Sequence, residues 1–437
     1  MAVQKTIVAD TLHDGYPFTP TQVIVVIISS LLMILDGFDI TSMAYVAHRV
    51  SDELSIDAEH LGGVFSITLA GIMFGALFLA PLADHYGRRL LLIASVAAAG
   101  ASMLVTAFID ALWQLYLLRF ITGLAVGCML ANVTALTSEY TPNRYRSFTV
   151  AIIAAGFPLG ATAGGFLAPA LMRAMNWEGV FLVPGALTLL MALAVYMVIP
   201  ESIPFLAKRS RDNDHQLIAV ILSKMKRPLA SGQTIVTSQH ADEQVATGVK
   251  SLVSPAWRAR TTMLWGTFFC VFMGMYFFMS WLPKLAIGSG LSEQQGIYTG
   301  VALNFGGVVG TILLGWFAVR FGLSRLVGLF LLLAAVLLIV LAQISAQWGL
   351  IGLLFVLGFF LQGGYVGLYS VSAKMYPATI RATGIGWALG LGRSGAVIGP
   401  YFGGLLIAGG MTMQSSFLIF AGPLVIAAIL VSRLKIN

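Results

Sequence analysis

The sequence predicts an all-α membrane protein of twelve transmembrane helices arranged as two pseudo-symmetric six-helix halves. Three observations predict it. Of the 437 residues, 58% are hydrophobic and 10% charged, with a mean hydropathy of +0.89. A water-soluble fold of this size has no interior able to hide so much apolar side chain. The apolar residues fall into runs separated by short polar breaks, and special residues of the first half recur in the second at one fixed offset.

Each run is long enough to cross a hydrocarbon core of ~30 Å, which takes about 20 helical residues. Lipid offers no partner to a bare backbone amide, so the runs must be helices. The continuous apolar pattern excludes an outer-membrane barrel, whose strands alternate. The first half reads as spans at 22–47, 60–82, 90–109, 112–137, 147–171 and 178–199. The second reads as 261–283, 295–318, 326–345, 348–371, 382–408 and 414–432. Between them a polar stretch containing Lys-Met-Lys-Arg-Pro and a Ser/Gln/Thr-rich segment reads as a cytoplasmic linker, helical in part. The domains are therefore 1–200, a linker at 201–260, and 261–437.

The offset between the halves is 235 residues, pairing Gly87 with Gly322, Gly123 with Gly358, Pro142 with Pro377, Arg146 with Arg381 and Gly164 with Gly399. One pair is a coincidence in a glycine-rich chain; Pro-x-x-x-Arg recurring after corresponding helices points to duplication. With six spans per repeat, the two copies share one orientation, and an axis along the membrane normal relates them. A binding site then belongs between them, near the midplane.

A net charge of +7 and a pI of 9.4 suggest nucleic acid only until the basic residues are placed. With both termini cytoplasmic, nearly all fall in inner loops or at the termini, including Arg88, Arg89, Arg144, Arg146, Lys208, Arg258, Arg320 and Lys374. Only Arg49, Arg173 and Lys284 lie outside. This is the positive-inside asymmetry. The N-terminal stretch carrying Lys5, Asp10, His13 and Asp14 has no signal-peptide cleavage pattern, so the first run is expected to stay as a span. Cys128 and Cys270 both lie in apolar runs and suggest neither disulfide nor zinc. No His-rich cluster, Ser/His/Asp set or phosphate-binding Gly-x-x-x-x-Gly-Lys-Ser/Thr occurs, which argues against an enzyme, a cofactor, a metal or ATP drive. His48 and His60 beside Asp52 and Asp57 read as a solvated loop.

Charges at membrane depth carry the functional signal. Asp36 and Asp39 in Leu35-Asp36-Gly37-Phe38-Asp39 share one helix face, and burying even one is costly, so that face should meet a cavity or a cation. Counting from span ends at ~1.5 Å per residue puts Asp39 and Arg119 at similar depth, close enough to pair. Arg393 in span eleven is the other deep cation, and its fork suits a carboxylate. It is open to a second reading as a structural ion pair. Tyr276 with Phe272 in span seven, and Tyr365 with Tyr369 in span ten, are i,i+4 aromatic pairs that could flank a ligand ring or simply pack. Asn304 and Gln362 are polar candidates for the same cavity.

The loop after span two reads Ala80-Pro81-Leu82-Ala83-Asp84-His85-Tyr86-Gly87-Arg88-Arg89. Gly87 permits a tight turn. Asp84 is expected to accept from amides at a helix N-terminus or to pair with Arg88 and Arg89, a latch holding one conformation; the alternative is a solvated turn. At the matching place the second half has Val319. Glu139 and Lys374 correspond at the same offset with reversed charge, which suggests an inter-half contact or two solvated loop ends; Arg146 belongs to the same group.

These residues carry a resemblance. The Asp84 loop resembles the Gly-x-Leu-Ala-Asp-x-x-Gly-Arg-Arg signature of the major facilitator superfamily, with Ala80 in place of the leading glycine. Arg119-x-x-x-Gly123-x-x-x-Gly127, Glu139-Tyr-Thr-Pro142 and Pro200-Glu201-Ser202 resemble further landmarks of that superfamily, and the likeness covers nearly all the chain outside the linker. The resemblance implies that spans one and four border the cavity in the first half. Asp36-Gly-Phe-Asp39 is similar to the first-span motif of the aromatic acid:proton symporter family, which implies small hydroxybenzoate-type acids as cargo.

The reading that follows is a symporter, a monomer in the bacterial inner membrane, importing a small aromatic carboxylate with protons by alternating access for aromatic compound catabolism. Asp36, Asp39 and Arg119 would couple the proton. Arg393, Tyr276, Asn304, Gln362, Tyr365 and Tyr369 would hold the acid. Its rivals are a carrier of the same fold for an aliphatic dicarboxylate, sugar or drug, and a non-transporting membrane sensor.

Overall fold

The structure, a computed structural model, describes residues 6–8, 16, 18–209, 211–225, 234–236, 251–343 and 347–434. The charges Lys5, Asp10, His13, Asp14, Lys226, Arg227, Lys250 and Lys435 lie outside the described residues.

Twelve long helices follow the expected spans, here α1 Pro20–Glu53, α2 Ala58–Phe74, α3 Arg88–Thr106, α4 Leu112–Tyr140, α5 Asn143–Met175 and α6 Gly179–Val198. The second set is α7 Arg258–Gly288, α8 Glu293–Phe321, α9 Leu323–Gln343, α10 Gln347–Met375, α11 Ala378–Ala408 and α12 Met413–Ser432. Eleven of the spans meet the length and hydropathy a membrane crossing requires, and α11, glycine-rich around Arg393, matches them in length at 31 residues. Several helices outrun the sequence estimate, because helical hydrogen bonds remain the best use of the backbone where the chain leaves hydrocarbon. α2 continues to Tyr86 through a π turn at Gly75–Leu79 and a 3-10 turn at Ala80–Leu82. Apart from the helices, Thr6–Val8 pairs in parallel with Thr234–Val236.

Helix starts are chemically marked. Thr19 and Gln22 form a capping box at α1, with Pro20 as the first helical residue. Gln22 Nε2 also donates to Tyr140 O at 2.6 Å, pinning the start of α1 to the end of α4. On the opposite face of the bundle Asp57, Ser292 and Thr412 cap α2, α8 and α12. "Termini face" denotes below the side on which α1 begins, and "far face" the side on which it ends.

The duplication is visible in packing. α1 crosses α5 as α7 crosses α11; α2 crosses α4 as α8 crosses α10; α3 packs α6 as α9 packs α12. Crossing points repeat residue by residue. A Cβ on Gly123 would meet Thr68 O at 2.1 Å, and one on Gly358 would meet Leu303 O at 1.9 Å. A Cβ built on Gly160 would likewise fall on Ile34 O, and one on Gly395 on Phe269 O. In each case both members shift by the same 235 positions. Only glycine permits backbones so close, which is why the offset survives in glycines while side-chain chemistry has diverged.

The halves meet along α2 with α11, α5 with α8, and α1 with α7. Their polar bonds cluster toward the far face. Arg49 bonds Glu293 through both nitrogens of its fork, at 2.5 and 2.7 Å; Lys284 Nζ donates to Ser51 Oγ at 2.5 Å; deeper, Ser66 Oγ donates to Val397 O at 2.7 Å. Gly62 and Gly404 bring α2 and α11 into backbone contact there. The bundle is thus sealed at the far face.

In the linker, Ile203–Arg209 and Asp212–Lys224 are helical. Ile203, Leu206, Ile218 and Leu222 bury against Val25, Leu92 and Leu136 of the first six helices. Arg209 clasps Asp214 with two bonds, and that guanidinium holds the Asp214 carboxyl down at about 2.

Candidate functional site

The first half holds a buried ion pair. Arg119, 1% exposed, donates from Nη1 to Asp39 Oδ1 at 3.2 Å and from Nη2 to Thr106 Oγ1 at 3.2 Å. Its guanidinium lies over the Phe181 ring, 4.9 Å from the centroid. Depth counting thus pairs the residues that bond, although α1 continues to Glu53, so Asp39 sits deeper than a count from residue 47, the expected end of span one, implies. Thr106 on α3 and Phe181 on α6 carry no sequence signal, because only tertiary packing brings them to Arg119.

Asp36, one helical turn away, is 3% exposed, and neither carboxylate oxygen has a hydrogen-bond partner among the described residues. It lies within electrostatic reach of Asp39 and Arg393. The two aspartates are therefore unequal, one held by a cation and one bare. Both line a small pocket inside the first half with Leu35, Met103, Met129 and Thr188. A second pocket opens between the halves, lined by Thr41, Phe65 and Arg119 on one side and Tyr276, Met279 and Ser280 on the other. Arg119 is the group shared between the acid pair and this inter-half pocket.

The second half assembles an aromatic box. Phe272 stacks on Tyr276, with centroids 5.7 Å apart and planes at 19°, and meets Tyr365 edge-on at 5.2 Å. Phe268 meets Tyr369 edge-on at 5.9 Å, and the Tyr365 and Tyr369 hydroxyls bond each other at 2.6 Å. Arg393 is within electrostatic reach of Tyr276, Tyr365 and Tyr369. Among the described residues it has no carboxylate within ion-pair distance and no hydrogen-bond acceptor. Asn304 and Gln362 lie beside the box on α8 and α10 and bond each other at 3.3 Å. All six residues expected at the ligand thus occupy the second half, five in or beside the box and Arg393 within electrostatic reach of its tyrosines.

The termini-face loop differs from expectation in which acid does the capping. Asp84 is 62% exposed on its side chain and reaches only Arg88, at 3.7 Å. Gly87, at φ +105°, turns the start of α3 toward Glu201, whose Oε1 accepts from the Arg89 amide at 3.0 Å. A side chain at Gly87 would collide with that carboxylate, 2.5 Å from a Cβ. Arg88 pairs with Glu139 at 2.9 Å, and Arg89 donates to Tyr196 O while lying over the Tyr196 ring. Arg146 Nε donates to Ser138 O at 3.1 Å, and its repeat Arg381 to Tyr376 O at 3.3 Å. Glu139 pairs with Arg88 of its own half, and Lys374 is exposed. His48 and His60 sit in exposed pairs with Asp52 and Asp57, as a solvated loop would have them.

The profile of the Major Facilitator Superfamily matches residues 27–322 and 294–436. The 4-hydroxybenzoate transporter PcaK of Pseudomonas aeruginosa is 35% identical over 96% of this chain and 94% of its own length. The gallate transporter of Pseudomonas putida is 31% identical over 95% and 92%, and the benzoate transport protein of Acinetobacter baylyi 29% over 98% and 93%. Among solved structures, a bacterial homolog to the human lysosomal transporter Spinster, in an inward-facing and occupied conformation, superposes with a TM-score of 0.75. It is 17% identical, covering 96% of this chain and 98% of that one.

Proposed function

The chain belongs to the Major Facilitator Superfamily, and on that premise we propose that it imports small aromatic carboxylates together with protons by alternating access. It is a multi-pass membrane protein and a transporter rather than an enzyme. The observation that carries the cargo is Arg393, a guanidinium with no carboxylate at ion-pair distance among the described residues, within electrostatic reach of the tyrosines of an aromatic box. A planar ring packs against the exposed edge of this cluster, and its carboxylate supplies the missing charge to Arg393. Relatives named for 4-hydroxybenzoate, gallate and benzoate support the same class.

A monocarboxylate entering a negative interior works against about 2.3 kcal/mol per 100 mV, so a compensating cation is needed. Asp36 suits a proton carrier because nothing on the protein stabilises its ionised form except charge at a distance. Asp39, bonded to Arg119, stays as the fixed charge that tells the halves whether Asp36 is protonated. One proton per acid makes the step electroneutral; two make it electrogenic. The two six-helix halves, 1–200 and 261–437, rock about the site, and the linker 201–260 joins them on the cytoplasmic side. The positive-inside asymmetry supports a termini face in the cytoplasm of a bacterial inner membrane, with the carrier working as a monomer. The loop of Asp84, Gly87, Arg88 and Arg89, with Glu139 and Arg146, acts as the latch when that face closes, when Asp84 leaves solvent for a partner across the halves.

Uptake of labelled 4-hydroxybenzoate into proteoliposomes tests this. A proton gradient should drive accumulation, benzoate should compete, and succinate should not. Accumulation indifferent to the gradient, or equal competition by succinate, would sink the proposal.

A further inference from the structure

The aromatic box explains a ring and Arg393 a carboxylate, which leaves the buried amide pair beside them without a task. Gln362 is 7% exposed and Asn304 2%. Asn304 Nδ2 is committed to Gly300 O at 2.9 Å, an ordinary helix back-bond. Gln362 is poorly satisfied: its Nε2 reaches Asn304 Oδ1 at 3.3 Å and Leu303 O at 3.5 Å, both long, and its Oε1 accepts from no described residue. It precedes Tyr365 by three residues and Tyr369 by seven, so it stands on the α10 face that builds the box. The facing residue on α8 is Gly307, where a Cβ would fall 2.2 Å from Gln362 Oε1 and would displace the amide.

We propose that Gln362 reads a hydroxyl on the ring of the transported acid, with Gly307 leaving the room its amide needs. The assignment rests on the aromatic-acid reading above and deepens it. An acceptor held in an apolar site without a donor favours a ligand that brings an O–H and penalises one that presents C–H at the same point. The amide is neutral, so it adds discrimination without adding a second charge to be balanced at the midplane. Gln362 therefore separates hydroxylated from unsubstituted benzoates, while Arg393 and the rings bind what both have in common.

Calorimetric titration of the purified full chain with benzoate and its 2-, 3- and 4-hydroxy isomers tests this. In the wild type at least one isomer should bind about tenfold or more tighter than benzoate. Gln362→Met removes the acceptor at nearly constant volume, and Gly307→Ala leaves it present but displaced. Each should bring the preferred isomer to within about threefold of benzoate bound by the same variant. Variants that weaken all four acids alike, or that keep the preference, overturn the assignment. A wild type that binds all four equally overturns it too and spares the aromatic-acid reading; a wild type that binds none refutes that reading as well.

Discussion

The two halves have the same skeleton and opposite chemistry at their centres. In the first, the deep arginine is spent: Arg119 is held by Asp39 and Thr106 and covered by Phe181. In the second, Arg393 has no carboxylate at ion-pair distance among the described residues and stands within electrostatic reach of a set of aromatic rings. Yet the crossings of α4 on α2 and α5 on α1 recur as α10 on α8 and α11 on α7, at glycines that correspond one for one. Duplication therefore accounts for the scaffold, and divergence at a handful of interior positions assigns each half its task. On this account the first half handles the proton and the second the acid.

The harshest test of that division is to neutralise the free cation. Arg393→Ala should lower uptake of 4-hydroxybenzoate more than about 100-fold, since a buried charge pair with the substrate is lost, with folding unchanged by thermal melt. Retained uptake would place the acid elsewhere. Next in size is the inequality of the aspartates. Asp39→Asn strips Arg119 of its counter-ion and should cost about 3 kcal/mol of stability or more. Asp36→Asn replaces an unpartnered carboxylate and should leave the melting temperature equal or raised. Equal losses would mean the two acids share Arg119.

The sameness of the skeleton has its own test, a little smaller. Gly123→Ala and Gly358→Ala each drive a methyl into a backbone carbonyl, and both should destabilise by about 1–3 kcal/mol and to a similar degree. A large difference would show that one crossing is loose. Smallest is the far-face seal. The Arg49–Glu293 pair is about one-third exposed at both ends, with side chains at 32%, so Glu293→Gln should shift the resting equilibrium by no more than about 1 kcal/mol. Labelling rates of a cysteine placed at Thr41 should rise up to about fivefold from the far side; an unchanged rate would show that the helix packing alone keeps that face closed.

The scaffold was legible because its causes are local or periodic. Lipid fixes span length, glycine fixes close crossings, and the offset of Gly123 to Gly358 needs no coordinates. The Asp39–Arg119 pair was legible from depth alone, since the membrane supplies an axis against which residues on different helices can be measured. What could not be read depends on rotation about that axis. Thr106 and Phe181 reach Arg119 only because α3 and α6 turn those faces inward. Asp36 and Asp39 look equivalent as i and i+3 on one face, and only packing shows that one is held and the other bare. At the Asp84 loop, sequence supplied the turn but not the acid, because Glu201 lies far along the chain and is brought to Gly87 by the close of α6. Nothing local in the sequence joins Arg49 to Glu293; the pair exists only because the halves dock.

The central claim is that Asp36 carries the proton and takes no part in holding the acid, and one paired measurement on Asp36→Asn in proteoliposomes tests it most directly. Exchange of labelled for unlabelled 4-hydroxybenzoate across equilibrated membranes should stay within about threefold of wild type, while accumulation driven by a proton gradient should vanish. Gradient-driven accumulation that persists, or exchange that disappears along with it, would contradict the division of labour between the halves.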